Sequence, residues 1–234
     1  MQRVKEKAIQ LLKDGVVDRV IGWKAGEFFY DLTPAVFTSA EEVEKDFVWS
    51  VFSAANVSKY LIAESKKGGR IAAFLKPCDS YSFVQLCKEH RIAKENVYVV
   101  GVQCDGTCDI EKLKALGFKG VTGVEERGEE LLVSTLYGGK TAAKKDALLE
   151  RCTVCKSKRI AYFDELLGEQ GEDCGDARFE AVEKLEAMTP EERFAFWRGE
   201  LSRCIRCNAC RNVCPACSCE KCVFDNHALG TDNK

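Results

Sequence analysis

The chain has 234 residues, a formal net charge of −2 and a hydrophobic fraction of 46%, enough for one large domain or an ordinary domain with a small appendage. The charge balance shows none of the basic excess that marks a nucleic-acid partner, and no stretch approaches the roughly 20 apolar residues that cross a bilayer. No nucleic-acid or membrane partner is therefore expected, and fourteen cysteines are left to explain.

Residues 1–7 are charged, but no signal-peptide core follows them. Ile9, Leu11 and Leu12 instead predict a short amphipathic helix that stops at Gly15. Without an export signal the protein is expected to be cytoplasmic, and a reducing cytosol disfavours a disulfide framework. Ile71–Leu75 is a short apolar run of the kind that forms a strand buried on both faces, and Val97–Val102 is another. Between them, residues 80–90 suit a helix, with Phe83, Val84 and Cys87 on its apolar face and Leu86 beside them. Strand, helix and strand at this separation form a parallel crossover unit. Residues 109–116 predict a further helix with a stop at Gly117, and residues 131–136 a strand ending at Gly138 and Gly139.

Residues 1–167 thus read as an α/β domain. The polar, glycine-rich stretch 168–177 reads as a linker, with Cys174 incidental to it. Residues 178–188 look helical, and Thr189, Pro190 and Glu192 then compose a capping box with proline in the first turn. That second helix carries Phe194, Phe196 and Trp197 and delivers the chain to Cys204. Residues 178–234 are accordingly a helical lead-in and a cysteine segment.

Seven cysteines fall within residues 204–222, where the sequence is polar and has no packing period. Buried structural thiols do not account for that crowding, so metal ligation is left. Cys204, Cys207, Cys210 and Cys214, followed by Pro215, have the bacterial ferredoxin spacing C-x2-C-x2-C-x3-C-P. Three thiolates at these steps wrap one cubane, because the residues between them make tight turns that aim the sulfurs inward. The fourth, before proline, usually departs to a second cluster in two-cluster ferredoxins. Structural zinc sites favour two separated C-x2-C pairs, so iron–sulfur is the expected chemistry. The C-x3-C-x2-C pattern of S-adenosylmethionine radical enzymes begins at Cys104 and Cys108 but fails at Glu111. Cys217, Cys219 and Cys222 follow with no second triple before Lys234. The seven either complete one cluster and supply three ligands towards another, or serve two clusters with one ligand from elsewhere.

Four more cysteines form a second constellation. Cys78 and Cys104 end the two predicted parallel strands. If those strands are neighbours, about 4.8 Å apart, both thiols open on the crevice beyond the carboxyl ends, where ligands of open α/β sheets gather. Cys152 and Cys155 form a separate C-x2-C pair flanked by Arg151, Lys156, Lys158 and Arg159, whose charges favour thiolates. Together the four make a four-thiolate metal site. The plainer alternative is a redox or zinc C-x2-C with two unrelated core cysteines. Cys108 is a possible substitute for Cys104, and Cys87 fits the core. His90 and His227 sit in no catalytic setting, and no Gly-x-Gly-x-x-Gly or phosphate loop marks a dinucleotide site. Glu125, Glu126, Glu129 and Glu130 read as a solvated hairpin rim, and Trp23, Trp49 and Trp197 as core or interface aromatics.

In their order, Lys76-Pro77-Cys78, Gly101-Val102-Gln103-Cys104, Cys152-Thr153-Val154-Cys155 with Asp164-Glu165-Leu166-Leu167-Gly168, and the C-terminal cysteine segment carry a family likeness. The chain resembles the beta subunits of deazaflavin-dependent hydrogenases and formate dehydrogenases, and related subunits of heterodisulfide-reductase-type complexes. The likeness spans about Asp18 to Asp225. It implies 4Fe-4S clusters, two or more here, FAD in many members, and electron passage between a soluble carrier such as ferredoxin and a catalytic subunit, as in anaerobic metabolism. Two features depart from the family: residues 5–13 lack the glycine pair of flavin-binding members, which argues against FAD, and no second cysteine triple follows the first. The leading expectation is an α/β domain followed by a small ferredoxin-like segment, acting as an electron-transfer subunit with no bond chemistry of its own. A flavin-dependent oxidoreductase of a deazaflavin, a nicotinamide or ferredoxin is the rival, and a zinc-stabilised binding module the third class.

Overall fold

The computed structural model describes residues 2–172 and 179–222. Cys174, Arg178 and His227, with part of the expected linker, lie outside the described residues.

The chain opens with α1 (Gln2–Lys13), which buries Val4, Ala8 and Leu11, one per turn, and stops at Gly15 with φ +64°. Strand β1 (Arg19–Ala25) follows, then β2 (Leu32–Phe37), α2 (Ala40–Asp46), β3 (Phe47–Val48) and α3 (Ser58–Glu64). The crossover unit comes next as β4 (Ile71–Leu75), α4 (Pro77–Lys88) and β5 (Val97–Val102). All five residues of β4 are buried, as its unbroken apolar run requires of a strand covered on both faces. Strands β4 and β5 are parallel neighbours, so the expected crossover is present.

The main sheet runs β2-β1-β4-β5 and ends on β9 (Glu165–Leu167), with β3 also pairing with β1. Pairs β1–β4, β4–β5 and β5–β9 are parallel, whereas β2 and β3 are antiparallel to β1. Pro34 sits in β2, an edge strand, where a missing N–H costs no ladder bond. Alternation along β4 divides the core. Ala72 and Phe74 face α1 together with Val20 and Val100. Ile71, Ala73 and Leu75 face Leu61 of α3 and Phe83 and Leu86 of α4. The result is a sheet with helices on both faces. At Gly22 a β-carbon would come within 2.1 Å of the Phe47 ring, so glycine there lets that ring lie across the strand.

Between β5 and β9 the chain adds a second layer. After α5 (Ile110–Ala115), capped by Asp109, comes a three-stranded meander of β6 (Val121–Arg127), β7 (Glu130–Thr135) and β8 (Gly138–Ala143). The sequence placed a strand end at Gly138 and Gly139; they instead open β8, because Gly138 at φ +113° turns the hairpin and its partner Thr135 continues the ladder. The meander packs Leu131 and Val133 on Val51, Phe52, Cys108 and Leu113. Two short helices, α6 (Lys144–Ala147) and α7 (Glu150–Thr153), lead back towards β9. Glu125 and Glu129 are solvated as expected, but Glu126 pairs with the buried Lys144.

The C-terminal arm contains α8 (Glu180–Glu186), α9 (Pro190–Leu201) and α10 (Ala209–Val213). The capping box of α9 is present, with Thr189 and Glu192 satisfying each other's backbone N–H groups. The arm touches the α/β domain through Glu220 to Arg91 at 2.6 Å, Ser218 to Glu89 at 3.1 Å, and the Lys59 ammonium on the Cys217 carbonyl. Trp23 and Trp49 pack edge to face at 4.9 Å in the core, whereas Trp197 is exposed. Among the described residues, no helix is long and apolar enough to cross a membrane.

Candidate metal centre

Strand β4 ends at Leu75 and α4 begins two residues later, with Lys76 at its N-cap and Pro77 at its first position. Cys78 is therefore in the first turn of α4, not at the strand end that the sequence suggested. The reason is Pro77, whose fixed φ suits the first helical position and pulls the helix start forward. Cys104 lies just past the end of β5. Because β4 and β5 are adjacent and parallel, both thiols reach the same edge of the sheet.

Cys152 and Cys155 arrive from α7 and the turn after it, closed by a Cys155 N–H donated to the Cys152 carbonyl at 3.4 Å. The four side chains line one cavity of about 30 Å3, together with Lys76, Gly106, Thr107, Arg151 and Lys158. Each expected N-terminal ligand is thus brought to one place from three segments of chain. Cys108 is not in that wall: it is 3% exposed and packs beneath the meander. Cys87 packs against the core between α4 and the sheet, as expected.

Polar hydrogens are aimed at two of the sulfurs. The Gly106 N–H donates to Cys104 Sγ at 3.4 Å, and the Thr107 N–H to Cys152 Sγ at 3.5 Å, with Thr107 Oγ1 also 3.3 Å away. Gly106 holds φ +101°, and a β-carbon there would strike the Leu148 side chain at 2.7 Å. Burial pushes the Cys104 thiol up, against the pull of the Gly106 N–H and Lys76. Cys78 is exposed as a residue, yet the protein crowding it and the Asp79 carboxylate push its thiol up to about 12. A bound metal, or a cluster, must displace those protons.

The cysteine segment offers a second set. Arg206 and Asn208 adopt φ of +58° and +60°, tight turns between successive cysteines, and the Arg206 N–H donates to Cys204 Sγ at 3.4 Å. Cys204, Cys207, Cys210 and Cys219 are exposed. Cys217 is exposed too and lies beside Cys214 and near Cys222; local loss of hydration and then Cys214 push its thiol up. The Cys217 N–H also donates to the Cys214 carbonyl at 3.1 Å, so Cys214 stands next to the later cysteines. Among the described residues, no three His, Cys, Asp or Glu side chains stand where they would hold a single metal ion. A cubane carries its thiolates on separate irons and spreads them wider than one tetrahedral ion does.

No protein-family model matches the chain. It is 26% identical to the F420-dependent formate dehydrogenase 1 subunit beta of Methanococcus maripaludis, over 92% of this chain and 71% of that one. It is also 26% identical to the F420-dependent formate dehydrogenase subunit beta of Methanocaldococcus jannaschii, over 96% of this chain and 74% of the relative. The chain is similar to these beta subunits over most of its length. Among solved structures, a chain of the F420-reducing NiFe hydrogenase complex from Methanosarcina barkeri has the same fold over 66% of this chain, with a TM-score of 0.52 and 16% identity. The present chain spans 59% of that hydrogenase chain. The resemblance carried by the cysteine motifs and their order is borne out.

In this beta-subunit relative, sequence reasoning missed Gly106, Thr107 and Asp79 as parts of the site. Only Asp79 left a local trace, as the acidic residue at the third position of a helix that starts Lys-Pro. Cys108 yields a pH prediction. Burial pushes its thiol from 9.0 up to about 11. The unfolded chain gives up that proton near pH 9 and the folded chain only near pH 11, so the folded state binds more protons between them. Stability conferred by this thiol is complete below pH 9 and is lost as pH rises to about 11. Denaturant melts of the reduced protein from pH 8 to 11 are expected to fall more steeply than those of Cys108→Ala. Equal slopes would show that the buried thiol is not linked to folding.

Proposed function

We propose that the protein is an iron–sulfur electron-transfer subunit that relays electrons between a soluble carrier and a partner oxidoreductase subunit. One 4Fe-4S cluster is held by Cys78, Cys104, Cys152 and Cys155, and at least one more by the segment from Cys204 to Cys222. The observation that carries this reading is the convergence of four thiols, from β4–α4, β5 and α7, on one cavity at the sheet edge. The donor set suits an iron–sulfur group, since four soft thiolates are its ligands. The enclosed space is about one water's share of volume, and Cys78, which helps to line it, is exposed. A cluster held by these thiolates would supply one-electron chemistry in which no bond is broken. The protein's own part is to orient and compensate: Gly106 and Thr107 direct hydrogens at the sulfurs, and Lys76, Arg151 and Lys158 oppose the negative charge of the thiolates.

The division into an α/β domain over 1–167, a linker over 168–177 and a ferredoxin-like unit over 178–234 is part of the same reading. Cys204, Cys207 and Cys210 wrap one cluster, and Cys214, Cys217, Cys219 and Cys222 either complete it and supply ligands towards another or serve a second cluster with one ligand from elsewhere. The relatives are named as subunits, and Phe194, Trp197 and Leu201 of α9 are 65%, 47% and 64% exposed. That apolar face is the contact for a partner oxidoreductase subunit. A flavin-dependent oxidoreductase is the second reading. It draws on a cavity of about 560 Å3 between α3, β2 and the cysteine segment, the size of a small-molecule site.

Anaerobic purification tests both readings. A broad violet shoulder with iron and acid-labile sulfide is expected, and Cys207→Ser should lower both while the α/β domain stays folded. Equimolar zinc without sulfide would overturn the cluster reading. Structured flavin bands in the visible region would favour the second one.

A further inference from the structure

We propose that Lys76 sets the reduction potential of the N-terminal cluster by placing a buried positive charge beside its ligands, with Asp79 as the opposing charge. The inference rests on the reading of Cys78, Cys104, Cys152 and Cys155 as cluster ligands. Lys76 occupies a position that local rules disfavour. It is the N-cap of α4, where a side-chain acceptor is preferred, and its cation sits at the positive end of the helix. Its side chain is nevertheless 4% exposed. Violations of this kind are expected where a residue serves a site.

The ammonium is held from four directions. It pairs with Asp79 at 2.9 Å, donates to the Ala55 carbonyl at 3.2 Å, and lies 4.5 Å from the Trp23 ring centre and 5.9 Å from that of Trp49. Asp79 is buried too, and its other oxygen is 3.9 Å from Cys78 Sγ. Lys76 lines the thiol cavity and also an adjoining polar cavity of about 70 Å3, sharing Cys104 with both walls. Both charges are buried, and buried fixed charges act strongly. Reduction adds one electron from the carrier and one negative charge to the cluster, with no bond made or broken. A nearby cation favours that state and a nearby anion opposes it.

The test is a mediated dithionite titration of the full-length protein, followed by the paramagnetic resonance of the cluster whose signal Cys152→Ala removes. Lys76→Met is expected to keep its iron and lower the equilibrium constant for reduction about tenfold, a negative shift of about 59 mV for one electron. Asp79→Asn should shift the midpoint the other way, and Lys76→Arg should stay near wild type. A merely structural ion pair would give shifts of one sign, or none, in Lys76→Met and Asp79→Asn, and that result overturns the proposal. If Lys76→Met fails to keep the cluster, an unchanged midpoint in Asp79→Asn is the overturning result. A wild-type protein with no signal for Cys152→Ala to remove would instead refute the ligand set itself.

Discussion

Cys152→Ala, made in the full-length protein, is expected to remove about four irons and their sulfide, the content of one cubane, while the cysteine segment keeps its own. The sheet does not depend on this thiol, since Cys152 enters from the short helix α7 and packs in no strand. Its sulfur meets Thr107 and the cavity shared with Cys78, Cys104 and Cys155. With one ligand gone, the three remaining thiols belong to an incomplete site. Iron and sulfide assays on anaerobically reconstituted protein decide the matter, with circular dichroism as the control for folding. Unchanged iron would move the ligand set to other thiols, with Cys108 and Cys87 the first to examine.

Phe74→Ala is expected to lower the unfolding free energy by about 3–5 kcal/mol, the usual cost of deleting a buried phenylalanine ring. Phe74 is fully buried in the central strand β4, and its ring lies 6.0 Å from that of Phe47. Phe47 is itself pinned where Gly22 leaves room for it, so the site has little freedom to collapse around the void. Denaturant melts read by the fluorescence of Trp23 and Trp49 measure the loss. A change under about 1 kcal/mol would mean that the surrounding helices close the cavity, contrary to the packing described.

The crossover unit was legible in the sequence because both its strands are covered on two faces. Ile71–Leu75 and Val97–Val102 need unbroken apolar runs there, and such runs announce themselves. Strands β2 and β9 carry no such signature. One includes Pro34 and is an edge, and the other is three half-buried residues whose existence depends on β5. The meander was half legible, since β7 carries the apolar run Leu131 to Val133, while β6 and β8 contain no fully buried residue.

The sequence by itself determined which donor groups this protein offers: seven crowded cysteines, the first four at ferredoxin spacing, a separate C-x2-C pair, and two cysteines after apolar strands. Which thiols meet was decided by tertiary structure. Cys152 and Cys155 lie far along the chain from Cys78 and Cys104, and nothing local says that they return to the same edge. They return because β9 pairs in parallel with β5, fastened by the Val99 N–H on the Asp164 carboxylate at 2.7 Å, which draws the intervening loop across the strand ends. The Lys76–Asp79 pair divides in the same way. Its spacing of three residues is local, but its burial under Trp23 and Trp49 exists only once β1 lies beside β4. Spacing along a chain records which groups can act together, whereas strand pairing between distant segments sets where they stand.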